Sequence, residues 1–131
     1  MEVRSENCNV DEYAAKLFQI YSETVFADDY AGLQNIYDHS AVLIERGKET
    51  FYGVDSIIKA IKAYHAELGN GTTKNTDFKV EYTDNTITIF CKYCSILSNE
   101  TLEGEYIQYW KSEVGEYPKI IRDEFSIDRK Y

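Results

Sequence analysis

The chain carries a single proline, Pro118, and only seven glycines in 131 residues. That scarcity argues against flexible linkers and low-complexity segments. Long hydrophobic runs are missing as well. The longest is Ala41-Val42-Leu43-Ile44, far short of the roughly 20 apolar residues that a membrane helix needs, so no membrane partner is expected. The opening MEVRSENCNVDEY lacks the apolar core of a signal peptide. The expected location is therefore the cytoplasm, with the nucleus also open. Cysteine is sparse. Cys8, Cys91 and Cys94 cannot all pair within the chain, and Cys91-Lys92-Tyr93-Cys94 has no second pair with which to bind zinc. Positions three apart in a strand face opposite ways, so these read as core and surface thiols. Two glycosylation-type triplets, at Asn70 and Asn99, read as chance matches at loop tips.

Positive charge is also short. There are 14 lysines and arginines against 23 aspartates and glutamates, a net charge of −9. Such a surface repels phosphate backbones, which argues against nucleic acid as a partner. Solubility alone accounts for the charge, and a basic protein partner is the functional alternative. The two histidines, His39 and His65, read as a loop and a helix-surface residue without metal partners in view. No metal site and no cofactor are expected.

What the chain does have is 44% apolar residues, enough to build a core, at a length that suits one domain. The expected domain is 1–131, with its core at about 9–128. Tyr13, Ala14, Leu17, Phe18, Tyr21, Thr24 and Val25 recur at three- and four-residue steps, which predicts a helix over 9–27. Asn9 and Glu12 would form its capping box. Asp28-Asp29 breaks it and offers a new N-cap for a short helix carrying Tyr30, Leu33, Ile36 and Tyr37. A strand follows over 41–46, then a turn-rich excursion around Thr50, Phe51 and Tyr52. A third helix is expected over 54–68, with Ile57, Ile58, Ile61, Tyr64 and Leu68 inward and Gly69 as its stop. After an Asn70-Gly71 turn the period falls to two. TDFKVEY, TITIFCKYCSIL, TLEGEYIQYWKS and KIIRDEFSID read as strands joined by tight turns, an antiparallel meander.

The segments YDHSAVLIERGKETFYGVDSIIKAI and GEYIQYWKSEVGEYPKIIRDEFSI, in this element order, resemble the nuclear transport factor 2-like superfamily, also called SnoaL-like or cystatin-like. The resemblance spans about 9–128. It implies an α+β fold in which a cone-shaped, curved antiparallel sheet wraps a long N-terminal helix, with two further helices. It also implies a pocket at the open end of the cone and a homodimer through the outer sheet face, where Phe90, Ile107 and Tyr109 would lie. IYSETVFADDYAGLQNIYDHSAVLIE is similar, without a gap, to a stretch of the ketosteroid isomerases within that superfamily. Tyr21 falls on their catalytic tyrosine and Glu45 on their carboxylate base. Tyr106 falls near their second donor and Phe125 near an aromatic of the last strand.

That resemblance implies a division of labour. Glu45 would take a proton, the Tyr21 and Tyr106 hydroxyls would hold a developing enolate, and a buried Asp123 would be a second acid or would shift the behaviour of Glu45. Asp123 stands out in the sequence itself, as a carboxylate on an apolar stripe with Ile121, Phe125 and Ile127. Each candidate also has a plain alternative. Glu45 can be a rim ion pair with Arg46 or Lys48, and Tyr21 a core tyrosine. Asp123 can be a hydrogen-bonded structural acid, while Tyr106 and Trp110 can pack between helix and sheet. Phe18, Leu43, Gln108, Trp110 and Phe125 are the expected pocket walls. The leading functional reading is a domain that binds an unidentified small apolar molecule in the cone. The alternatives are an isomerase, dehydratase or cyclase using carboxylate acid–base chemistry, and a homodimeric protein-interaction module.

Overall fold

Every three or four residues along the first helix an apolar side chain meets the core. Ala14, Leu17 and Phe18 are buried there, with Tyr21 and Val25 packed against the same cluster. A computed structural model describes residues 2–69, 71–113 and 115–131, with side chains from residue 12 onward. The first helix, α1, runs Glu2–Phe26. It starts well before the expected Asn9, because no glycine or proline stops it there. The side chains of Asn9 and Cys8 lie outside the described residues, and Tyr13 is exposed.

Helix α2 (Tyr30–Ile36) begins at the expected cap, where the Asp29 carboxylate accepts the Gly32 N–H at 2.9 Å. Asp29→Ala is expected to cost about 1 kcal/mol in denaturant unfolding; an unchanged midpoint would show that the cap carries no stability. Strand β1 (Tyr37–Glu45) pairs with β2 (Glu49–Tyr52) as a hairpin. It begins earlier than expected, at Tyr37. A register shift separates Tyr37 from Val42, and inside it Asp38 accepts both the N–H and the hydroxyl of Ser40. Helix α3 (Val54–Leu68) buries Ile57 and Ile61.

Strands β3 (Gly71–Thr83), β4 (Thr86–Leu97), β5 (Thr101–Lys111) and β6 (Lys119–Phe125) form the meander, and β7 (Arg129–Lys130) pairs with β5. The Asn70 turn and triplet lie outside the described residues. β3 is longer than expected and carries a bulge at Asp77, whose φ is +56°. The strand order is β2-β1-β6-β5-β4-β3. The meander β3 to β6 is antiparallel as expected, and the sheet adds one parallel pair, β1 with β6. No hairpin joins those two strands, so no turn dictates their sense. A correction concerns β6. Its register with β5 slips between Tyr109 and Trp110, pairing Trp110 with Ile120 and Tyr109 with Arg122. Ile120, not Ile121, therefore reaches the core, fully buried.

The sheet is curved and mostly antiparallel, with helices against its inner face, an α+β cone. Its outer face carries Phe90, Tyr109 and the nearly buried Ile107. Cys91 is buried inside and Cys94 is partly exposed; both are free thiols. Among the described residues no helix is long and apolar enough to cross a membrane.

Candidate functional site

Curvature leaves a cavity of about 290 Å³ between the inner sheet face, α1 and α3. Helix α1 contributes Phe18, Tyr21 and Val25, and α3 contributes Ile61, Tyr64 and His65. The sheet contributes Leu43, Tyr93, Tyr106 and Phe125. Phe18 meets Tyr106 edge to face at 6.0 Å between ring centroids, and Tyr64 meets Phe125 in the same way at 5.9 Å. These contacts stiffen an apolar wall. Tyr21, Tyr106, Phe18, Leu43 and Phe125 all line the cavity. Gln108 and Trp110 do not, contrary to expectation. They share the inward face with Tyr106 but sit deeper in the cone, at 0% and 2% exposure, where the core closes over them.

A chain of hydrogen bonds links those deep residues to the cavity. Trp110 Nε1 donates to Gln108 Oε1 at 3.0 Å, which fixes the orientation of the amide. Gln108 Nε2 donates to the Tyr106 hydroxyl at 3.0 Å, and Tyr106 donates to the Tyr21 hydroxyl at 2.8 Å. The Tyr21 and Tyr37 rings meet edge to face at 6.3 Å between centroids. Tyr37 donates to Asp123 Oδ2 at 2.5 Å. Asp123 is 1% exposed and its Oδ1 has no hydrogen-bond partner. Burial raises its pKa to about 6, and the polar ends of Tyr106, Tyr37 and Gln108 pull part of the way back. The three tyrosine hydroxyls are all held above their ordinary range, chiefly by burial and next by the Asp123 charge. Asp123 itself does not line the cavity; its hydrogen-bond partner Tyr37 does.

Glu45 also lies behind the wall. It is 6% exposed, shares a strand face with Leu43, and does not line the cavity. Its Oε1 accepts the Tyr64 hydroxyl at 2.7 Å, and Lys48 Nζ stands 3.7 Å from Oε2. Arg46 turns away to the outer face, where it pairs with Glu105 at 2.8 Å and Glu124 at 2.7 Å. The structure thus gives Glu45 one tyrosine and one lysine as neighbours.

Two features were not read from the sequence. One is Tyr37, which the apolar spacing assigns to the end of a helix face and which the structure places at the start of β1. The other is at the mouth of the cavity, where His65 and Asp28 both line the wall. His65 Nδ1 lies 2.8 Å from Asp28 Oδ1 and 3.0 Å from the Tyr30 hydroxyl. Both contacts use Nδ1. His65 is therefore not a helix-surface residue, and His39 is an exposed residue within β1 rather than in a loop.

No protein-family model matches the chain, and no curated protein matches it. Solved structures do. A protein from Novosphingobium aromaticivorans described as a scytalone dehydratase superposes with a TM-score of 0.83 at 12% identity, covering 98% of this chain and 90% of that one. A nuclear transport factor 2-like protein from Cytophaga hutchinsonii gives 0.77 at 12% identity, covering 89% and 97%. The chain has the nuclear transport factor 2-like fold. A protein from Parabacteroides distasonis described as a ketosteroid isomerase shares this nuclear transport factor 2-like fold, with a TM-score of 0.70 at 13% identity over 86% and 85% of the two chains. At such identities the likeness concerns the fold, and any role for a residue of this chain must come from its own geometry.

Proposed function

We propose that the protein binds a small, largely apolar molecule that carries a hydrogen-bonding oxygen. The observation behind this reading is the aromatic cavity of about 290 Å³ with the Tyr21, Tyr37 and Tyr106 side chains along its wall. Apolar walls supply affinity and a few placed polar groups fix orientation. Native mass spectrometry of protein purified without organic solvent is expected to show a reproducible adduct. Phe125→Ala should weaken retention of that adduct roughly tenfold, the scale of one buried aromatic side chain. Equal retention would place the ligand elsewhere.

The His65–Asp28 pair favours a second reading, an enzyme that moves a proton on the bound molecule. A carboxylate on Nδ1 orients the ring and leaves Nε2 to act as base or acid. A dehydratase and an isomerase are among the structures of similar fold, which adds support for proton-transfer chemistry of this class. The base is then His65 rather than Glu45, whose carboxylate does not line the cavity. On a substrate identified from the adduct mass, His65→Gln should lower kcat at least about a hundredfold with little change in binding. Glu45→Gln should leave kcat within a few-fold. The opposite pattern would return the role of base to Glu45.

A further inference from the structure

An indole nitrogen donates a hydrogen bond and cannot accept one. Trp110 is 2% exposed, so its N–H needs a partner inside the core, and Gln108 Oε1 supplies one at 3.0 Å. With its oxygen taken by a group that only donates, the Gln108 amide turns its NH2 toward Tyr106, at 3.0 Å. Tyr106 accepts that bond and gives its own proton to the Tyr21 oxygen at 2.8 Å. Every bond in this row therefore points from the core toward α1, and the direction is set at the tryptophan.

The other tyrosines of the cavity wall have spent their protons. Tyr37 donates to Asp123 Oδ2, Tyr64 to Glu45 Oε1, and Tyr93 to the Ser126 carbonyl. Thr73 and Ser95, also in the wall, are bonded to each other. Tyr21 lines the cavity too, and it is the exception. It accepts from Tyr106, and among the described residues its own hydroxyl donates to no protein acceptor. Burial holds its pKa above the ordinary tyrosine range, so near neutral pH the proton stays on the hydroxyl. Accepting a bond also makes a hydroxyl a better donor, and here a row of bonds stands behind it.

We infer that Trp110 is a positioning residue for ligand binding: acting through Gln108 and Tyr106, it leaves the Tyr21 O–H to the cavity, so that the ligand is held there by an acceptor oxygen, a carbonyl or an ether. This rests on the ligand-binding reading above and names the polar group of that ligand. A ligand that carries only a donor meets a second donor at Tyr21 and gains no bond from it. Trp110 touches no ligand itself, since it lies beneath the cavity and not in its wall.

The experiment titrates 1-indanone, indole and indene calorimetrically, three bicyclic molecules of nearly the same shape. The first carries only an acceptor, the second only a donor, and the third neither. The ratio of indanone to indole affinity is expected to fall roughly tenfold in Trp110→Phe and, as a second variant, in Gln108→Met, the scale of one hydrogen bond lost. Infrared spectroscopy reads the same bond directly. The carbonyl band of bound indanone should lie below its position in hexane in the native protein, and should return toward it in both variants and in Tyr21→Phe. Equal losses for all three probes would mean that Trp110 only fills the core, and would overturn the inference. A lowered band that survives Tyr21→Phe places the donor elsewhere in the wall and overturns it too. Binding of all three probes to the native protein with an unlowered band overturns it while leaving the cavity reading intact. Binding of none rejects the cavity reading and this inference together.

Discussion

Replacing Asp123 by asparagine is expected to stabilise the protein by about 2 kcal/mol at about pH 8 and to change it little at about pH 4. The carboxyl is 1% exposed, and burial raises its pKa from 3.8 to about 6 in the folded state. The folded chain therefore binds this proton more tightly than the unfolded chain does. Stability from this group is fully present below about pH 4 and is lost as the pH climbs through about 6. A shift of about two pKa units corresponds to about 3 kcal/mol at most. Asparagine removes that loss. Its carbonyl takes the Tyr37 proton, and its amide takes the place of the unpartnered Oδ1. Urea unfolding of both proteins at the two pH values checks this. A variant less stable than the native protein at both would mean that the charge is well solvated in the folded state.

A core that keeps such an acid forgoes stability that a one-atom exchange would restore. This is a common signature of a group retained for what it does to a ligand.

Gly104→Ala is expected to lower stability by about 3 kcal/mol and to abolish ligand retention. The chain leaving β6 crosses directly over Gly104. A Cβ there would lie 1.9 Å from the Ser126 carbonyl oxygen, a backbone atom that cannot swing aside. Ser126 is held on both sides. Its N–H donates to the Glu105 carbonyl and its hydroxyl accepts the Glu105 N–H, each at 3.0 Å, while its carbonyl accepts the Tyr93 hydroxyl at 2.6 Å. Lifting Ser126 would pull Tyr93 and the neighbouring Phe125 and Ile127 out of the cavity wall. Thermal unfolding together with native mass spectrometry reads both effects. Gly115→Ala is the control for backbone strain alone, because its φ is +80° and no atom lies within 4 Å of the position its Cβ would take. Similar losses in both variants would assign the effect to lost backbone freedom rather than to the crossing at Ser126.

Much of the architecture was legible from local periodicity. The apolar steps of α1 and α3, the Asp29 cap and the period-two strands each depend on residues near one another in sequence. The elements that escaped depend on distant pairing. The parallel register of β1 on β6 brings Leu43 beside Asp123 and Glu45 beside Phe125, and no local pattern encodes it. Tyr37 and Asp123 meet across 86 residues. Strand parity placed Gln108 and Trp110 on the correct face, but parity says nothing of depth along a cone, and they lie beneath the cavity rather than in its wall. His65 comes from α3 and Asp28 from the turn between α1 and α2. Only the packing of α3 against α2 brings them together. Asp123 was legible because a carboxylate on an apolar stripe is a local contradiction. Its partner was not.

The insertion of β6 between β1 and β5 also sets an order of events. β5 can collect β4 and β3 by neighbouring hairpins, and β1 can collect β2, but these two halves share no sheet hydrogen bonds until the last long strand arrives between them. Asp123 rides on that strand, and so does Phe125. A chain emerging from the ribosome thus lacks the polar end of its cavity until β6 has been made. Contacts of such long sequence separation form late, and interactions that form late act mainly on unfolding. A ligand should therefore leave the refolding rate almost untouched and extend the lifetime of the folded protein, acting as a latch on a door that has already closed.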